Sequence, residues 1–259
     1  MSEMSDEWRA NIDAMEQTAR SMIALGDELG PSDWVRPTDC PGWSVVDQYS
    51  HIVGIERWLL GEAPDDEPRT AANTALDVEA FRSWRPEKVL DELRGVIDRR
   101  IAALRSGAVD LTSVVTTPFG ARMPYGDFMA HRAFDVWMHE QDARRATGRS
   151  GNLDGPAAEV SARILGGALP YVVGKRAAAE PGRTVVVEAP GRRWCVEVGA
   201  DGRGRFAEEP REPTVRLRME WETFVRLGGG RVDPSEADVR ITGDRDLAGR
   251  VLAGMSVTP

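Results

Sequence analysis

The chain is poor in several residue types, and each shortage narrows what it can be. Its 259 residues hold only two cysteines, Cys40 and Cys195, far apart and with no C-x-x-C pair. A disulfide framework is thereby excluded, and reduced thiols are expected. Lysine occurs only at Lys88 and Lys175, so the positive charge is almost all arginine, and it is outweighed to a net charge of −9. A field of that sign repels phosphate, which argues against nonspecific binding to nucleic acid or anionic membranes. No apolar run approaches the roughly 18–20 residues needed to span a bilayer. The segment Met1–Arg9 is acidic and polar, unlike a signal peptide, so a cytoplasmic location is expected.

What is present is the composition of a globular protein, with 41% apolar and 29% charged residues. The length exceeds one small core and predicts two domains. Trp8, Ile12, Met15, Ala19 and Met22 recur at helical steps, with Leu29 beyond them, and a loop containing Pro31, Pro37 and Pro41 follows. A second helix is expected over 44–60, with Ser44 as N-cap. The acidic stretch 61–77 reads as a surface loop, and Pro86 opens a third helix striped by Val89, Leu93, Val96, Ile97, Ile101 and Leu104. After a partly β-prone connection over 106–124, a fourth helix should run over 125–146 and stop at Gly148. Four amphipathic helices with two long connections predict a four-helix bundle over 1–150. Residues 151–259 read as an α+β domain. One helix is expected over 154–175, broken near Pro170, then strands near 184–189, 194–198, 214–219 and 237–242 and short helices over 220–227 and 245–255.

Histidine is also scarce: His51, His131 and His139 are the only three. Asp135 and His139 are spaced i, i+4 on the fourth helix, so both side chains can reach one ion. His51 lies on a helix that can face them, with small Gly54 one turn away. Two imidazoles and a carboxylate make a three-ligand metal set with an open fourth position. The bland alternative is a surface pair, with Arg132 bonded to Asp135 from three residues earlier and His51 in the core.

Thr38–Ile52 (T-D-C-P-G-W-S-V-V-D-Q-Y-S-H-I) and Arg132–Gly148 (R-A-F-D-V-W-M-H-E-Q-D-A-R-R-A-T-G) resemble two motifs of the mycothiol-dependent maleylpyruvate isomerase family. Val239–Leu252 resembles its second domain. The resemblance implies an α plus α/β two-domain chain, a DinB-like metal-binding bundle followed by a sterol-carrier-like α+β domain. It also implies a divalent metal, Zn2+ first among candidates, on His51, Asp135 and His139. Asp135 is a departure, because the isomerase itself has Glu there, and this weakens maleylpyruvate as the inferred substrate. The partners implied are a low-molecular-weight thiol, mycothiol foremost, and a small electrophile, in a transfer or isomerisation. A non-catalytic ligand-binding protein and a metal-dependent hydrolase are the rival readings.

Asp142 has two readings, as a carboxylate orienting His139 or as a partner of Arg144 or Arg145. Arg231, in G-G-G-R, is the resemblance's candidate for holding a substrate carboxylate through its planar fork. His131 is expected to be a packing or surface residue. Cys40 precedes a helix start that can lower a thiol pKa, but a small residue in a structured turn is the simpler reading. Trp58, Phe128, Trp137 and Met138 flank the presumed site at helical spacing and should be mostly core, with one or two of them lining a pocket.

Overall fold

The computed structural model describes residues 5–63, 69–70 and 74–258. It divides into two compact units, Met1–Ser161 and Ala162–Pro259.

The first unit is built on four long helices: α1 (Asp6–Asp27), α3 (Val45–Leu59), α5 (Pro86–Arg105) and α6 (Tyr125–Thr147), with a single turn of helix, α2 (Pro31–Trp34), after α1. The apolar stripes read from the sequence are the buried faces, including Ile12, Met15, Ala19 and Met22 of α1 and Val89, Leu93, Val96 and Ile97 of α5. Each large aliphatic side chain buried in this way contributes about 1.5–3 kcal/mol. Neighbours around the bundle are α1 with α5 and α6, and α3 with α5 and α6.

Side-chain bonds fix the helix directions. Trp8 bonds Asp127 and Thr18 bonds Glu140, so α1 and α6 run parallel. Gln48 meets His139 and Glu56 meets Arg132, so α3 and α6 run antiparallel. Glu140 is a buried junction of this unit, accepting from Thr18, Ser21, Arg144 and Asn152 at 2.6–2.7 Å.

Helix boundaries follow the expected chemistry. Ser44 precedes α3 and donates its backbone N–H and hydroxyl to Asp47 at 2.8 and 2.6 Å. Gly148 ends α6 in the left-handed region at φ 67°. Two expectations need correction. Pro31 starts a turn of helix instead of only breaking one, because its fixed φ suits a first helical position. The stretch 61–77 is not simply a surface loop: α4 (Ala75–Phe81) begins within it and packs on α3, burying Asp77. Residues 64–68 and 71–73 of that stretch lie outside the described residues. The connection 106–124 contains the hairpin β1 (Val114–Thr116) and β2 (Arg122–Pro124).

Helix α7 (Pro156–Gly167) leads into the second unit and is followed by α8 (Leu169–Tyr171) and one π-helical turn, Val172–Arg176. The helix expected over 154–175 is thus broken before Pro170, as the missing proline N–H requires. A five-stranded sheet follows in the order β5-β4-β3-β6-β7, formed by β3 (Thr184–Ala189), β4 (Arg192–Val198), β5 (Gly204–Phe206), β6 (Val215–Arg218) and β7 (Arg240–Gly243). Strand β3 pairs antiparallel with β4 and parallel with β6. Its central position buries Val185, Val186 and Val187 on both faces, which explains a run without alternation. Strand β5 escaped the sequence reading, being three residues long and mostly exposed. Helices α9 (Trp221–Gly228) and α10 (Arg245–Ala253) complete the unit.

Among the described residues no helix is long and apolar enough to cross a membrane.

Candidate metal centre

The site forms where α3 faces α6. One ligand atom from each of His51, Asp135 and His139 lies within 4.8 Å of the other two. His51 Nε2 is 3.4 Å from Asp135 Oδ2, and His139 Nε2 is 3.6 Å from Asp135 Oδ1. Ligands around a tetrahedral ion with bonds near 2.1 Å sit about 3.4 Å apart. The donor set and its spacing therefore fit a divalent metal. Both imidazoles are buried, at 4% and 6% exposure, so each ring is fixed by its surroundings.

The turn Thr38–Ser44 builds one wall. Thr38 and Trp43 close it through Thr38 N–H to Trp43 C=O at 2.9 Å, and Gly42 takes φ 79° at its bend. The Trp43 ring then lies 5.1 Å from the His51 ring and 5.5 Å from that of His139. Trp43, and not the aromatics expected at helical spacing, covers the pair. Trp137 is fully buried and donates to the Asn152 carbonyl at 2.7 Å, Phe128 and Met138 are core, and Trp58 is half-buried.

The tautomer of His139 is set from behind. Gln48 donates its Nε2 to Thr38 Oγ1 at 2.7 Å, which leaves Oε1 to accept from His139 Nδ1–H in a short contact. Nε2 of His139 is then the lone-pair nitrogen, facing Asp135. The sequence reading missed Gln48. Its signal was a place three residues before His51, on the same face of α3. Asp142 is bonded through Oδ1 to Arg145, and its Oδ2 lies 3.6 Å from His139 Nδ1, beyond hydrogen-bond range. Arg145 also holds Asp39 at 2.9 Å, tying α6 to the turn.

Behind Asp135 runs a buried ionic chain that the sequence did not disclose beyond its first link. Arg132 donates to Asp135 Oδ2 at 2.7 Å, and to Glu56 Oε1 through Nε at 2.9 Å and Nη2 at 2.7 Å. Glu56 Oε2 accepts from Arg100 at 2.9 Å, and Arg100 also meets the Tyr125 hydroxyl. The ion pair of Arg132 with Asp135 is therefore present, but inside the bundle and not on the helix surface. Burial opposes the charge of Asp135, but Arg132, and then the two imidazoles, hold its carboxyl well below the usual range. Burial lowers the His51 pKa. Burial also opposes a proton on His139, yet the Asp135 and Asp142 carboxylates raise its pKa above the ordinary value.

Cys40, His139 and Asp142 form a second group with ligand atoms within 4.8 Å. The Asp142 side of His139 is already engaged by Gln48, and Asp142 by Arg145, which favours the His51 set. His131 is half-buried against Phe119, with ring centroids 4.8 Å apart. Arg231 belongs to the second unit and donates to the Gly229 carbonyl at 2.5 Å.

Residues 15–144 match the family model described as the mycothiol maleylpyruvate isomerase N-terminal domain, and residues 155–250 match that of the C-terminal domain. Among solved structures, the chain is similar to the mycothiol-dependent maleylpyruvate isomerase, at 16% identity and a TM-score of 0.61, over 92% of this chain and 96% of that one. A mutant of that enzyme with a histidine replaced by alanine aligns over the same shares at 16% identity and a TM-score of 0.59. No curated protein matches the chain.

Proposed function

The chain belongs to the mycothiol maleylpyruvate isomerase family, and from that premise we propose that it is a metal-dependent enzyme using a low-molecular-weight thiol, mycothiol foremost, to transfer to or isomerise a small electrophile. The observation that carries this reading is the convergence of His51, Asp135 and His139 with an inter-ligand spacing suited to one ion. Two neutral imidazoles and a carboxylate suit Zn2+. An ion held there would convert a thiol at its open position into a thiolate at neutral pH, which the ordinary thiol pKa near 8.5 does not allow.

This chain's residues supply the rest. Arg132 keeps Asp135 ionised and oriented, Gln48 holds the His139 ring, and Trp43 covers one side of both imidazoles. In the reaction a thiolate sulfur adds to one carbon of an activated C=C bond, whose π pair moves onto the conjugated carbonyl. Rotation about the resulting single bond, return of that pair and departure of the thiolate leave an isomer, whereas protonation of the adduct from water completes S-transfer. Arg231 is proposed to hold a substrate carboxylate, and the bundle domain is proposed to end at residue 150, short of the limit of the first compact unit at Ser161.

Elemental analysis followed by thiol titration of cobalt-substituted protein tests the reading. About one ion per chain is expected, with a visible spectrum that changes on adding the thiol. Gently purified protein that holds no metal and takes up none would favour a non-catalytic binding protein. A cobalt spectrum indifferent to thiols, with water consumed in turnover, would favour a hydrolase.

A further inference from the structure

Behind His51, on the side away from Asp135, two buried polar atoms face each other. His51 Nδ1 and Asp77 Oδ2 lie 4.0 Å apart, and neither has a hydrogen-bond partner among the described residues. Their residues are 4% and 1% exposed. Buried polar atoms without partners are rare, and two that are chemically complementary and adjacent account for each other. A water bonded to both at an ordinary angle needs a gap of about 4.6 Å or more, so a direct bond, closed by a shift of about 1 Å, is the arrangement that satisfies both.

The chain is built to admit this carboxylate. A Cβ on Gly54, one turn after His51 on α3, would fall 2.4 Å from the Asp77 Cβ, so α4 can seat Asp77 there only because residue 54 has no side chain. The other carboxylate oxygen, Oδ1, accepts from Arg69 Nε at 2.8 Å, which turns Oδ2 toward the imidazole.

We propose that Asp77 is the positioning residue of His51: its Oδ2 accepts the Nδ1–H of the ring and leaves Nε2 as the metal-facing nitrogen. This rests on the metal-site reading above. It gives His51 what Gln48 gives His139, an acceptor behind the ring that fixes tautomer and orientation. It also explains why a short helix inside an acidic connection sends a carboxylate into the core beside a histidine.

The test uses the full chain. Chelator competition should show Asp77→Ala binding Zn2+ about 10–100-fold more weakly than the parent, as loss of such a partner does elsewhere. Circular dichroism of the variant would confirm its fold. A second measurement needs no variant: in 15N-histidine-labelled, zinc-loaded parent protein, His51 should carry its proton on Nδ1. Unchanged zinc affinity in a folded Asp77→Ala variant, or a proton on Nε2 in the parent, overturns the proposal while leaving the metal site standing. A parent that binds no zinc, or a His51→Ala variant that binds it equally well, overturns the metal site and this assignment together.

Discussion

Arg132 and Asp135 are joined by a 2.7 Å ion pair one helical turn apart, and the same carboxylate stands 3.4 Å from His51 and 3.6 Å from His139. A pairing that would be unremarkable on a wet helix surface is here the outer end of a buried chain through Glu56 to Arg100. Removing one partner from such a chain leaves an uncompensated buried charge.

Glu56→Gln therefore should destabilise the protein by about 3 kcal/mol, since two buried guanidinium groups lose their shared carboxylate. Urea unfolding followed by circular dichroism reads this directly. A midpoint equal to that of the parent would show that the buried arginines find other acceptors.

His139→Ala and Asp135→Asn should each remove bound metal, taking the chain from about one ion to none in elemental analysis and abolishing thiol-dependent activity. His131→Ala, which alters a half-buried ring packed at a tilt against Phe119, should retain the metal.

Metal binding should strengthen as pH rises. Burial opposes a proton on His139, but its carboxylate partners hold the pKa above the usual 6.5 in the metal-free protein. Burial holds the His51 pKa below 6.5. Coordination requires both rings neutral, so between the lowered pKa of His51 and the raised pKa of His139 uptake of an ion should release about one proton, falling to none above the latter. Calorimetry in buffers of different ionisation enthalpy measures that release. The metal-free fold has the opposite trend from this group. The stabilisation is fully present below 6.5 and is lost as pH climbs through the raised value.

Gly54→Ala should cost about 1–3 kcal/mol, because its methyl group would overlap Asp77 and force α4 away from α3. A thermal melt checks the stability change.

The local pattern of the chain determined its long helices, most of its strands and the two-domain class, but not the short helices α2 and α4. Apolar spacing, Ser44, Pro86 and Gly148 act within a turn or two of backbone, so their consequences are readable without the fold. The same locality placed Asp135 and His139 on one helical face. Family motifs, more than spacing, brought His51 into the set. Only packing decided that α3 runs against α6 with His51 opposite that pair, that Trp43 lies over both rings, and that Gln48 stands behind one of them. Glu56, Asp77 and Arg100 look in sequence like the charged residues of any solvated helix. Their burial depends on which helix face meets which neighbour, a choice made by chain segments far apart and invisible to any short window of residues.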